Sequence, residues 1–565
     1  MILKTTASRG NARLEVDQEI VQLRERLEFL NCYRNSLAAL SFLPDEILSQ
    51  IFFEYGRNVE IPFRGTWTKL MLVCKRWRQI GLNHAVLWSF ISLSQRSKGL
   101  TLDERLQRSA QCPLTLNFFL LPRQSYIPNR ILLSHSNRTR YLNISATGPG
   151  IIRDVFEGID ALPAVAGLTL ITSVTSTYEL DQRLQRQVAP NLRLLCLIRV
   201  GFRAWDLVSN LTTLTLQGSD AMAPLPSFRD ILCVLSRSPH LTELVWKKYW
   251  NQDPAELDGF KAIPSLAIQL IHLTLLDVTA SLQWMELIID ILKIPPMATL
   301  SLLVPDSSDG ESIKHLLVSI KRHLHRPGGP VFRSTALGHE AGEGFRLSAH
   351  TTSSCPIRSV SLPGTLAQFS LLTGAKTQLE IRSSLRKLIH ALPFDSSSVN
   401  LNSCMPTDFT LQTWQTVGTV LPQLKEIQIG MGHDMVAMLK GFLSVLEQGP
   451  QDLHGRSERR LAEKTVGLRP SKLAINFLVW RHPSNPEGIA ARPQRFSWFN
   501  SLLHALERYR DLETVNKPAG EKWEALEFER HQGSEEYDMI QLYRDRLLEV
   551  AKSLTIDGEL YDPVR

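Results

Sequence analysis

The sequence lacks long hydrophobic runs. Nowhere do the eighteen or so consecutive apolar residues needed to span a bilayer occur. The opening MILKTTASRGNARLEVDQEI also lacks the apolar core of a secretory leader. The expected location is therefore intracellular, cytoplasmic or nuclear, with no membrane partner. Cysteine is sparse: there are seven, an odd number, and none forms a C-x-x-C pair. Neither a disulfide framework nor a zinc site follows, and a reducing compartment is expected. A large excess of charge of one sign is missing too. A net charge of +7 over 565 residues is mild, and no nucleic-acid partner is expected from it.

The signatures of catalysis are equally absent. There is no G-x-S-x-G for a hydrolase serine and no G-x-x-x-x-G-K loop for phosphate. The stretch LGHEAGEG has glycines and a glutamate but no lysine to hold a phosphate. His323 and His325, in KRHLHRPGG, have cationic neighbours and no carboxylate or thiol at ligand spacing, so they read as a basic loop rather than a metal site. Arg456, Arg459 and Arg460, with Glu458 among them, read as a solvated loop. No catalytic residue, metal or cofactor is expected, and the chain reads as a non-enzyme.

What is present is the composition of a folded protein, with 43% hydrophobic and 21% charged residues. The length is too great for one ordinary core and implies several domains or one repeat array. Near the start, Ile20, Leu23, Leu27 and Leu30 recur at steps of three and four, with charged residues between them. That is an amphipathic helix with about two heptads of stripe. It either packs on its own domain or dimerises as a coiled coil. So short a stripe favours packing on its own domain.

The next segment, FLPDEILSQIFFEYG, reads as a helix. Pro44 suits the first helical position. Asp45 and Glu46 fall where the helix dipole favours negative charge. Ile47, Leu48, Ile51 and Phe52 form an apolar face, and Gly56 is the expected stop. The run WTKLMLVCKRWRQIG predicts a second helix, with Lys75, Arg76 and Arg78 near its C-terminal end. NHAVLWSFISL follows, carrying Leu87 and Trp88 before turning strand-like. So small a unit, with so many large apolar side chains, is marginal alone and suits a partner.

These residues resemble an F-box. The resemblance rests on the Leu43-Pro44-Asp45-Glu46 start with Ile47, Leu48 and Ile51, then Val73-Cys74-Lys75 with Trp77, then Leu87-Trp88. It covers about fifty residues. The spacer EYGRNVEIPFRGTWTKL is longer than the family's usual link. The whole arrangement, with a helix leading into the F-box, is similar to fungal F-box proteins. The resemblance implies contact with a Skp-type adaptor and, through it, a cullin, making the chain a substrate receptor of a ubiquitin ligase. The alternative is an F-box scaffold working without a cullin. The resemblance places Leu43, Pro44, Ile47, Leu48 and Ile51 at the adaptor contact. Val73 and Trp77 would contribute to that contact or to the module's own core, with core favoured for Trp77 and Trp88.

Beyond Trp88 an apolar pattern keeps returning, as in Leu192-Leu195-Leu197, Leu211-Leu214-Leu216 and Leu241-Leu244-Trp246. Its last members, Leu116, Ile144, Leu170, Leu197, Leu216, Trp246, Leu275 and Leu302, are spaced by about 19 to 30 residues, the leucine-rich-repeat period. Helix patterns lie between, including SFRDILCVLSRSPH with Ser227 as its N-cap. This part resembles a loose leucine-rich repeat, in which each strand-plus-helix unit covers its neighbour. The rhythm breaks after Leu302. Further strands are expected at Val360-Leu362, Leu379-Ile381, Val399-Leu401, Ile427-Ile429, Leu473-Ile475 and Leu526-Phe528. A closing helix is expected from about Glu535 to Ser553.

The expected organisation is thus α+β. An N-terminal helix region (1–40) precedes a small all-α F-box (41–95). An α/β leucine-rich-repeat-like solenoid (96–565) follows, with inserts near 325–355 and 450–468 and an unknown protein as its substrate.

Overall fold

The structure is a computed structural model. It describes residues 2–58, 66–93, 102–121, 125–159, 161–173, 190–201, 208–218, 227–247, 257, 259–260, 267–305, 313–340, 344–351, 368–373, 378–394 and 399–403; beyond these it describes 424–430, 472–476, 525–529, 554–556 and 559–561. The expected Val360-Leu362 strand, the 450–468 insert and the closing helix lie outside the described residues. The content is mixed helix and strand, with a helical region at the N-terminal end. The chain divides into two compact units, Met1–Leu207 with Ala221–Pro224, and Val208–Asp220 with Leu225–Arg565. Among the described residues no helix is long and apolar enough to cross a membrane.

The first unit begins with α1 (Ile2–Ser36), far longer than its two-heptad stripe. Ile20, Leu23, Leu27 and Leu30 are all exposed, so the expectation that this stripe packs on its own domain is corrected. A compact helical cluster follows: α2 (Asp45–Asn58), a 3-10 turn (Thr66–Leu72), α3 (Lys75–Asn83) and α4 (Ala85–Trp88). Its core is Leu48, Phe52, Trp67, Ile80, Leu87 and Trp88. The expected single helix across WTKLMLVCKRWRQIG is broken at Val73-Cys74. Lys75, Arg76 and Arg78 therefore sit in the first half of α3, not at a C-terminal end. Helix α2 also runs past Gly56, which is buried against Trp67 instead of ending the helix.

The chain then enters a ladder of parallel strands: β1 (Phe90–Leu93), β2 (Leu114–Leu120), β3 (Thr139–Ala146), β4 (Gly167–Thr172) and β5 (Leu194–Ile198). Helices α5 (Leu102–Arg108), α6 (Tyr126–His135) and α7 (Pro149–Phe156) lie in the connections. Parallel neighbours require such crossovers. The register puts Phe118, Ile144, Leu170 and Leu197 in one row, all buried. The expected row began with Leu116, which pairs instead with Leu142, one pleat away on the same face.

The second unit repeats this pattern with β6 (Thr213–Gln217), α8 (Phe228–Ser236), β7 (Glu243–Lys247), β8 (Ile268–Gln269), β9 (Leu275–Thr279), α9 (Leu282–Ile291), β10 (Leu292–Lys293) and β11 (Thr299–Val304). Strands β6, β7, β9 and β11 pair in parallel, and β8 pairs with β10. The buried row is Leu216, Trp246, Val278 and Leu302, so Val278 takes the place expected for Leu275. Ser227 caps α8: its Oγ accepts from the Asp230 N–H, and Asp230 returns the bond to the Ser227 N–H. Phe228 then stacks on Trp246 at 5.4 Å and meets Trp284 at 4.7 Å.

After α10 (Lys314–Leu324), a hairpin of β12 (Ser334–Glu340) and β13 (Gly344–His350) is laid into the ladder itself. Strand β13 pairs antiparallel with β14 (Phe369–Thr373), whose other edge takes β11. Strand β12 pairs in parallel with β15 (Val399–Ser403), where the ladder continues. Leu379-Ile381, expected as a strand, lies in α11 (Gln378–Ala391). Strands β16 (Leu424–Gly430), β17 (Lys472–Asn476), β18 (Ala525–Glu529) and β19 (Leu554–Ile556) extend the parallel order, and β20 (Glu559–Tyr561) closes it antiparallel.

His323 is not in a basic loop. It lies in the last turn of α10, buried, with no hydrogen-bond partner for Nε2. Burial, helped by the nearby Arg326 charge, lowers its pKa to about 4. A histidine with a lowered folded pKa stabilises fully above its unfolded value near 6.5. That stability is lost as pH falls from there through about 4. The loss reaches about 3 kcal/mol at most. Amide exchange across Lys314–Leu324, corrected for intrinsic rate, is expected to speed up from pH 6.5 to 4.5, and His323→Leu is expected to flatten that dependence.

Candidate functional site

Helix α2 carries two apolar stripes one residue apart. Leu48 and Phe52 point inward, at 1% and 0% exposure. Ile47, Ile51 and Tyr55 stand beside them on the outer side, at 48%, 42% and 38%. Residues four apart lie one above the other on a helix, so the three make a single outward ridge. The inner stripe is locked by aromatic contacts: Phe52 meets Trp77 edge-on at 5.2 Å, and Trp67 meets Trp88 edge-on at 4.9 Å.

The start of α2 is fixed from the other end of the module. Pro44 lies just before the helix, and its carbonyl accepts the Leu48 N–H. Arg76, at the beginning of α3, reaches back to this turn. Its Nε and Nη2 donate to Asp45 Oδ1 at 2.9 and 2.6 Å, Nη1 donates to the Ser41 carbonyl at 2.6 Å, and Nη2 also donates to the Leu43 carbonyl at 2.6 Å. The planar fork thus ties two backbone carbonyls and a first-turn carboxylate together. Asp45 serves the helix dipole and the clamp at once.

The break between the 3-10 turn and α3 has its own cap. Cys74 is extended, and its Sγ accepts the Trp77 N–H at 3.5 Å. Leu72 and Val73, beside that break, are exposed, Leu72 at 81%. Gly81 lets the turn close on α3: a Cβ there would fall 2.6 Å from Met71 Cγ. The Gly81 carbonyl accepts the Trp88 indole N–H at 2.9 Å. Lys75 pairs with Glu28 of α1, whose hydrogen bond and charge raise the ammonium pKa.

The expected contact residues separate into two groups. Pro44, Ile47, Ile51 and Val73 are exposed, and Leu43 is half-buried against the core. Leu48 is corrected: it is core and offers no free surface. Trp77 is half-buried and packs on the core. Sequence reasoning missed Arg76, because its partners are mostly backbone carbonyls that leave no pattern in the sequence. It also missed Tyr55, which the four-residue step from Ile47 and Ile51 could have found. Phe42 and Leu72, both well exposed, were missed too. Among the described residues, no group of three His, Cys, Asp or Glu could hold a metal ion.

The module thus presents an exposed apolar ridge beside a helix start held by polar bonds. Residues 40–94 match the F-box-like family, and an F-box-like domain is thereby detected there. F-box domains typically bind Skp-type adaptors. No curated protein matches the chain.

Arg76→Met keeps the stem but removes every bond of the clamp. It is expected to destabilise the helical module by about 2 kcal/mol. It is also expected to raise amide exchange at the first turn of α2 more than at α4, as read by hydrogen-exchange mass spectrometry.

Proposed function

We propose that this chain is a substrate receptor of a Skp–cullin–F-box ubiquitin ligase. The observation that carries the reading is the Ile47-Ile51-Tyr55 ridge on α2 within the F-box-like segment. Such a ridge gains by burial against an apolar partner groove, at roughly 1.5–3 kcal/mol for each fully covered side chain. The adaptor would take this ridge together with the exposed Pro44 and Val73 and the half-buried Leu43. The remainder of the chain would act as a leucine-rich-repeat-like solenoid. The parallel ladder and its buried rows support that reading. Its task would be to hold a protein substrate near the ubiquitin-carrying enzyme. The gain would be in effective concentration, with no side-chain chemistry supplied by this chain.

The test is capture of a Skp-type adaptor by the full chain. Ile47→Asp with Ile51→Asp is expected to abolish capture while leaving the thermal unfolding midpoint nearly unchanged, since both residues are exposed. Leu48→Ala, by contrast, is expected to destabilise the module by about 2–5 kcal/mol. Adaptor capture that survives the double aspartate change would defeat the docking assignment. Recovery of a cullin in the wild-type capture supports the ligase; adaptor without cullin supports a scaffold instead.

A further inference from the structure

We propose that α1 pairs two copies of this chain through a parallel two-stranded coiled coil. The apolar seam is longer than the four-residue stripe first read. Val16 precedes it at the correct step, so Val16, Ile20, Leu23, Leu27 and Leu30 alternate by four and three along one side of a continuous helix. All five are exposed. In heptad terms Ile20 and Leu27 occupy one core position, and Val16, Leu23 and Leu30 the other. Ile20 at the first with Leu23 and Leu30 at the second fits the pattern that favours two parallel strands, while Leu27 and Val16 depart from it.

The helix does not use this seam to hold its own F-box. Its contacts there come from Glu28, which pairs with Lys75, and from the Asn35 carbonyl, which accepts the Ser41 hydroxyl. Glu28 stands off the seam, at a position a coiled coil turns to solvent, and the Asn35 contact is a backbone one beyond the last seam residue. The seam is thus free while the helix is already anchored.

Charge makes the flanks of the seam complementary to a second copy. Flanking the seam are Glu19 before Ile20 and Arg24 after Leu23. In a parallel pair, Glu19 of one copy faces Arg24 of the other, and the twofold axis makes that contact twice. An antiparallel pair that sets Val16 against Leu27 would instead bring Glu19 to Arg26 and Asp17 to Arg24, so charge complements a second copy in either direction and the charge exchange below separates the two. The parallel arrangement also places both F-boxes at the same end of the coil.

The experiment is light scattering on the purified full chain from about 1 to 100 µM. A mass rising from one chain to two with concentration is expected. Leu23→Gln with Leu27→Gln is expected to hold the protein at one chain, without change in helix content or adaptor capture. Glu19→Arg alone and Arg24→Glu alone should each weaken pairing at least tenfold, and the two together should restore it. In a Cys32→Ser background, Leu23→Cys should form a covalent dimer on mild oxidation, because only a parallel pair brings the two residues face to face. A single-chain mass at the highest concentration would overturn the proposal. So would a dimer indifferent to Leu23 and Leu27. Failure of the charge exchange to restore pairing, or of Leu23→Cys to cross-link, would overturn the parallel arrangement. Each readout is independent of adaptor binding.

Discussion

Trp88 is where the helical module and the strand ladder of the first unit become one body. Its ring is buried edge-on against Trp67, and its indole N–H is held by the Gly81 carbonyl. The Arg108 guanidinium from α5 lies over its face at 5.2 Å. The next residue, Ser89, gives its carbonyl to the Thr115 N–H, and β1 starts immediately after it. One side chain therefore closes the F-box-like core while its own backbone opens the ladder. No flexible linker separates them. A partner held on α2 would therefore have a defined relation to β1 and its neighbours.

The same economy appears in α2. A helix in so small a module needs only one apolar stripe for the core. Here the inner stripe of Leu48 and Phe52 satisfies the module, and Ile47 and Ile51 remain outside it. The Arg76 clamp makes this possible. It fixes the pitch and start of α2 by polar bonds, so the helix does not need its outer ridge to be held in place. The ridge stands on a helix whose start is already held by polar bonds, and a preformed ridge spends little entropy on binding.

How much of this was legible follows from what leaves a periodic trace. The helix α2, the order of the F-box-like elements, the Ser227 cap and most strands were readable, because apolar spacing and capping chemistry record them directly. Which of Ile47 and Leu48 faces inward was not. Two adjacent apolar residues on a helix give overlapping stripes, and only the position of Trp67 and Trp77 decides between them. The break at Cys74 was hidden for a related reason. A 3-10 turn followed by an α-helix keeps nearly the same apolar recurrence as one helix. The register errors at Leu116 and Leu275 have a different origin. Strand residues two apart share a face, so an apolar count tells the face but not the rung.

The fate of the N-terminal stripe shows where sequence reasoning meets its limit most clearly. Stripe length argued against self-association, since few heptads give little buried surface. That argument assumed an alternative, namely a surface of the chain's own that would cover the stripe. The structure removes the alternative. The helix is 35 residues long, it touches the F-box-like module from off the seam, and its seam is left in water. An exposed leucine row that nothing in its own unit covers carries a standing cost, because apolar surface in water is relieved by any suitable mate. Length argues for weak pairing, whereas exposure argues for some pairing. Both are met by a concentration-dependent dimer, tight enough to form where copies gather and loose enough to leave single chains elsewhere.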